Sequence, residues 1–161
     1  MLELNKNSYV TVSDADNYIN AHYRSNNKLR KAWEGLDEAD KIASLLSACA
    51  DIEALPFGGR AMVAGQAMAF PRLPYQYTRA AEIPERVKHA QVEFALWQLD
   101  DTSTAQAEQR QALQAQGVES FSVGDLSESY TTGATAQPTA LMCAKVANLL
   151  APYRNGGRAI G

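Results

Sequence analysis

The stretch from Ile83 to Leu99 constrains what this chain can fold into more than any other. Ile83-Pro84-Glu85 has the form of a helix start, with proline at the first helical position and an acidic first turn. Behind it Ile83, Val87, Ala90, Phe94 and Trp97 recur at 4-3-4-3 spacing, and Val92, Ala95, Leu96 and Leu99 widen the stripe. A helix apolar over so much of its girth must be surrounded by other elements. The stretch is therefore predicted to be the central, most buried helix.

The remaining helices are read in the same way. Tyr9-Val10-Thr11-Val12 is a short extended lead-in. Ser13 reads as an N-cap, with Asp14 and Asp16 well placed in the first turn. Ala15, Tyr18, Ile19 and Tyr23 carry helical spacing over about three turns. The polar, basic run from Arg24 to Lys31 reads as a loop leading to Trp33. Asp37 is expected to cap a second helix reaching about Ala54, with Ile42, Leu45, Leu46, Cys49 and Ile52 on one face. Pro56 ends it. Pro138 and Thr139 open a last helix that places Met142, Val146, Leu149 and Tyr153 on one face.

The non-helical segments are equally informative. Phe57 to Glu82 has no sustained period and carries Gly58, Gly59, Gly65, Pro71 and Pro74, so it reads as a long irregular loop, a feature uncommon in compact domains and often functional or disordered. Asp100-Asp101-Thr102 interrupts the helical pattern. Ala105 to Gln116 is Ala/Gln-rich and is either a solvated helix or a mobile connector ending at Gly117. Val118 to Val123 alternates at period two, Gly124-Asp125 supplies a turn, and Leu126 to Tyr130 alternates again, which is a β-hairpin signal. The expected fold class is mainly α, a small bundle of about four core helices with a long irregular loop and a β-hairpin. One domain over residues 1–153 and a flexible tail over 154–161 complete the expected organisation.

Composition narrows the class further. A chain of 161 residues fits one domain, and 46% hydrophobic with 20% charged residues is ordinary globular usage. The formal charge of −3 lacks the basic excess of a dedicated duplex-DNA binder. Any nucleic-acid role must rest on a local patch. The opening residues turn polar at once, unlike a signal peptide, and no apolar run approaches a membrane span. A cytoplasmic, reducing compartment is the simplest expectation. Cys49 and Cys143 sit in apolar helical patterns, where small buried hydrophobes are favoured over a disulfide or a reactive thiol.

The search for chemistry returns little. His22 and His89 lie in no metal-ligand spacing. No nucleophile elbow is present, Gly58-Gly59-Arg60 lacks the form of a phosphate loop, and Asp100-Asp101 reads as a solvated helix end. No catalytic residue, metal ligand or cofactor is assigned, and the chain is expected not to be an enzyme. Two clusters mix basic and aromatic residues. One joins His22, Arg24, Lys28, Arg30 and Lys31 to Tyr23 and Trp33. The other joins Arg60, Arg72 and Arg79 to Phe70, Tyr75 and Tyr77. Either can stack bases and follow a phosphate backbone, or dock against protein. The acidic balance favours protein contact.

Four segments, in order, resemble a known family: Tyr9-Val10-Thr11-Val12-Ser13-Asp14-Ala15-Asp16-x-Tyr18; Gln66-Ala67-Met68-Ala69-Phe70-Pro71-Arg72; Ile83-Pro84-x-x-Val87-Lys88-x-Ala90-Gln91-x-Glu93-x-Ala95; and Val118 to Tyr130 with Ser122-Val123-Gly124 at its centre. Their order and spacing, over roughly Tyr9 to Tyr153, are similar to the tailed-bacteriophage head–tail connector (adaptor, or head-completion) proteins. Related sequences often carry a DnaT-like single-stranded-DNA-binding label. Phe70 departs from a pattern that favours tryptophan there, which leaves its packing role intact. The resemblance implies a ring of identical subunits, typically dodecameric, below a portal protein. The ring continues the DNA channel without sequence specificity and docks the next neck or tail protein. The location implied is the virion neck after assembly and the host cytoplasm before it.

Under that implication Arg60, Phe70, Arg72, Tyr75, Phe121, Tyr130 and Arg154 are the candidate interface residues, because a loop, strand edges and a tail can reach a neighbour. The alternative is a DnaT-like single-stranded-DNA-binding accessory protein of replication. Its candidate contacts are Arg24, Lys28, Arg30 and Lys31.

Overall fold

A helix that buries most of its circumference organises the molecule, and it is the one expected. The computed structural model describes residues 1–73, 82–116, 120–123, 126–129 and 138–154, the segments 120–123 and 126–129 by backbone alone. In chain order the helices are α1 (Val12–His22), α2 (Lys28–Glu34), α3 (Glu38–Glu53), α4 (Glu85–Gln98), α5 (Asp101–Ala115), α6 (Thr139–Met142) and α7 (Ala144–Leu150), closed by a 3-10 turn at Ala151–Tyr153. Two small antiparallel pairs accompany them. They are β1 (Arg60–Ala61) with β2 (Arg72–Leu73), and β3 (Ser120–Val123) with β4 (Leu126–Ser129). The fold is mainly α with a small hairpin.

Helix α4 touches α1, α2, α3, α5 and α7. From Ala90 to Leu96 every residue is buried, including Gln91 and Glu93. Leu45, Ala48, Cys49 and Ile52 of α3 and Val146 and Leu150 of α7 join the same core. Pro84 is the N-cap rather than the first helical residue, so α4 begins one residue later than the proline signal implies. Arg86 closes the far end of α7, its guanidinium donating to the carbonyls of Leu149 at 3.0 Å and Asn148 at 2.7 Å. A cation there also meets the negative end of the helix dipole.

Several local expectations need correction. The cap of α1 is Thr11, not Ser13. Its hydroxyl accepts from the Asp14 N–H while the Asp14 carboxylate accepts from the Thr11 N–H, a reciprocal capping box. The basic run expected as a loop contains α2, because the Asn27 side chain accepts from the N–H groups of Leu29 and Arg30 and starts a helix. Asp37 does cap α3 as expected. The Ala/Gln-rich stretch is a helix that starts earlier than expected, capped by Asp100. The last helix breaks at Cys143 into α6 and α7, which shifts its buried face to Ala140, Leu141, Cys143, Val146, Leu150 and Tyr153. Met142 and Leu149 are only half-buried in consequence.

The hairpin pairs in the register Ser120 with Ser129 through Val123 with Leu126. Its expected turn at Gly124-Asp125, and Tyr130, lie outside the described residues. Among the described residues no helix is long and apolar enough to cross a membrane. Both cysteines are buried and unpaired, and burial pushes the Cys49 thiol up to about 12. That raised value describes an inert thiol.

The central position of α4 makes a quantitative expectation. Phe94 is fully buried and stacks on Trp97 at 5.6 Å between ring centroids. Phe94→Ala should lower unfolding stability by about 3–5 kcal/mol, the usual consequence of truncating a buried aromatic. Urea denaturation measures it, and a loss below about 1 kcal/mol would mean the core is centred elsewhere.

Candidate nucleic-acid interface

The two basic and aromatic clusters meet different fates. In the loop cluster, Arg72 is an internal clamp. Its Nε donates to the Gly58 carbonyl at 2.6 Å, and its Nη atoms donate to Ala69 at 3.0 Å, Gly59 at 3.1 Å and Phe57 at 3.4 Å. Gly59 sits at φ 70°, a conformation glycine adopts without strain, so its carbonyl can turn toward that guanidinium. Phe70 is not a surface residue of the chain. It is 2% exposed and lies edge-on to Phe57, Tyr9 and Tyr153. Phe70 and Arg72, both expected at an interface, hold the loop onto the core within the chain, and the burial of Phe70 keeps its ring from reaching a neighbour.

Other residues of the expected interface behave differently. Arg60 is exposed on β1. Arg154 is half-buried and bridges by its backbone to Phe57. Its buried Nε has no hydrogen-bond partner among the described residues. Tyr75 and Tyr130 lie outside the described residues, as do Tyr77 and Arg79, and of Phe121 only the strand backbone is described.

The second cluster keeps three exposed cations. Arg24 and Lys31 are exposed, and the Lys28 side chain is 83% exposed, 3.8 Å from Asp100. Arg30 leaves the set. Its side chain donates to Glu34 at 2.7 Å and to the Tyr23 carbonyl at 2.9 Å, fastening α2 to the end of α1. Trp33 also leaves it, since the ring is buried and its Nε1 donates to Asp16 at 2.7 Å.

Lys145 of α7 takes their place. Its ammonium lies 4.5 Å from the centre of the Tyr23 ring and donates to the Tyr23 hydroxyl at 2.7 Å. No local pattern announces this contact, because 122 residues separate the pair. The exposed cations are then Arg24, Lys28 and Lys31 on and before α2, with Lys145 against Tyr23 at the end of α1.

A buried carboxylate sits beneath it. Glu93 accepts the hydroxyls of Tyr18 at 2.8 Å and Tyr23 at 2.5 Å, with Lys145 3.5 Å away. Burial, reinforced by the Glu93 charge, raises both tyrosines above the ordinary phenol range. They stay neutral donors. Glu93 was the only acid inside the Val87–Leu96 stretch of the α4 sequence, and that was the available signal.

Beside these cations Tyr18, His22 and His89 form a three-ring cluster, the two imidazoles 6.0 Å apart. The Tyr18 ring stacks on His22 at 4.0 Å and 23°, and lies tilted against His89 at 4.6 Å and 37°. The helical i, i+4 spacing of Tyr18 and His22 anticipates the stacked pair. The rings border a groove of about 980 Å³ that runs on to Lys88, Ile83 and Phe70. Among the described residues no three histidine, cysteine or carboxylate groups are placed to hold a metal ion.

A helical domain with exposed cations beside stacked rings is a binding surface in form. The family model that matches the chain covers residues 2–160 and is described as "Putative DnaT-like ssDNA binding protein". The chain belongs to that family. No curated protein and no solved structure matches it.

The ring cluster has a pH signature. Burial holds His89 below the ordinary histidine value, against the opposing pull of Glu85. Between that lowered value and the ordinary one the unfolded chain binds a proton that the folded chain does not. Stability is therefore full above the ordinary histidine range and falls as pH drops through it. His89→Gln should flatten that fall when urea midpoints are compared between about pH 8 and about pH 5. Superimposable curves for the two proteins would remove His89 as the cause.

Proposed function

We propose that this chain is a non-enzymatic DNA-binding protein that holds single-stranded DNA along the strip Arg24, Lys28, Lys31 and Lys145. The observation that carries the reading is the strip itself. On a chain of net charge −3, three of the four cations come from the turn and short helix that follow α1, and Lys145 joins them from α7. The family description points to the same ligand. Cations of this kind attract phosphates without reading sequence, and neighbouring rings accept any base.

A second reading is supported by the hairpin. A two-stranded sheet leaves the outer edge of β3 and of β4 without a ladder partner among the described residues. Such edges are sites for strand addition by another chain. On this reading the chain is a phage head–tail connector subunit that assembles as a ring with itself and a portal protein. Rings in electron micrographs of the protein with a portal would support it, and DNA would pass through the ring rather than be held.

The first reading has a direct test. Neutralising Arg24, Lys28 and Lys31 together to alanine should weaken binding to oligothymidylate. The slope of log affinity against log salt should also fall by about 2, at roughly 0.7 per phosphate contact on single strands. An unchanged slope would falsify the strip as the DNA contact.

A further inference from the structure

The ring cluster of Tyr18, His22 and His89 lies beside the cations, and the phosphate contacts proposed above leave it unused. His22 is exposed at the last position of α1, and a ring that stacks in the open invites a further ring. Its orientation is fixed. Nδ1 lies 2.8 Å from the Tyr18 carbonyl, which can only accept, so Nδ1 carries the proton and the imidazole is held within 23° of the Tyr18 plane. Tyr18 is held in turn by its hydroxyl on Glu93, and His89 of α4 lies tilted beside both rings. Three rings from two helices are thus preset, so little conformational freedom remains to be lost when a fourth planar group arrives.

The charges around the groove decide what that group is. Asp14 and Glu85 line it and are held by Thr11 and Lys88, while Glu82 is exposed beside them. These carboxylates repel a phosphate from the groove and leave a neutral base unaffected. Outside the groove the sign reverses within two residues, at Arg24, and continues through Lys28, Lys31 and Lys145. Tyr18 and Tyr23 share the Glu93 carboxylate, so the ring cluster and the Tyr23–Lys145 pair are fixed relative to one another.

We propose that Tyr18, His22 and His89 form a base-stacking subsite for single-stranded DNA. A base seats on the His22 imidazole at the mouth of the groove, with its flanking phosphates on Arg24 and the neighbouring lysines. This rests on the single-strand reading above and adds to it a contact with bases, where the strip touches only the backbone.

The test separates bases from phosphates. Anisotropy of the full chain is measured with labelled oligothymidylate and with an abasic oligonucleotide of the same number of phosphates. Wild type should bind oligothymidylate more tightly. His22→Ala should lower that affinity about tenfold, the scale of one lost base stack, and leave the abasic affinity unchanged. His22→Phe, which keeps a ring, should restore most of the loss. Circular dichroism establishes that both variants are folded. Equal wild-type affinity for the two oligonucleotides, or equal losses on both in His22→Ala, overturns the stacking subsite and leaves the phosphate strip standing. No wild-type binding to either at low salt overturns both.

Discussion

Two polar side chains carried into the core by α4 set the arrangement of everything else. Gln91 accepts from the Tyr9 N–H at 2.9 Å and donates to the Ser8 hydroxyl and the Leu45 carbonyl, each at 2.8 Å. Glu93, two residues on and therefore on another face of the helix, takes the hydroxyls of Tyr18 and Tyr23. A buried amide or carboxylate left without partners costs about 1–3 kcal/mol or more. Each therefore acts as a demand that a particular neighbour come to a particular place. Apolar burial alone would hold the helices around α4 with much less discrimination among rotations.

The demand from Gln91 fixes the N-terminal lead-in and α3. That ordering then spreads to the long loop. Tyr9 presents its hydroxyl to Glu53 and accepts from the Phe70 N–H, while Glu53 also accepts from the Ala69 N–H at 2.8 Å. Arg72 completes the closure by gathering four carbonyls. The demand from Glu93 fixes the opposite side, where α1 ends and α7 passes. Tyr18 with its ring cluster, Tyr23 and Lys145 are all held from this one carboxylate. Stability and surface chemistry are thus joined at Glu93, and a change there would move both.

The sequence was most legible where a pattern is local. The girth of α4, the Asp37 cap, the stop at Pro56 and the hairpin alternation are all set by residues within a turn or two of one another, and the mainly helical fold followed from them. Legibility failed where two nearby signals competed. Thr11 and Ser13 each have an acid three residues on, but Asp16 accepts from Trp33 and Lys41 while Asp14 closes the capping box with Thr11. Asn27 turned a basic loop into α2 by satisfying two amide groups at once. It failed again where the determining contact is distant. Nothing near Phe70 or Arg72 shows that the aromatic ring enters the core or that the guanidinium turns inward, since both answers lie with partners such as Tyr9, Tyr153 and Gly58. Of the expected strip, Arg24, Lys28 and Lys31 were readable as exposed cations. The loss of Arg30 and the gain of Lys145 were not.

The cations and the ring cluster also make sense of each other on physical grounds. At physiological ionic strength the field of an acidic chain decays over about 8 Å, so a strip of cations can act locally despite the net charge. Its reach is short and its contacts few. Four cations imply a salt slope of only about −3 on a single strand, which is weak attraction once salt competes. Phosphate contacts alone would therefore let DNA slide off readily. A stacked base adds an energy that salt hardly touches, because it comes from ring contact and not from released counterions. A net acidic protein that retains single strands thus needs a stacking surface beside its cations more than a basic protein does, and in this chain the two lie on either side of the same buried carboxylate.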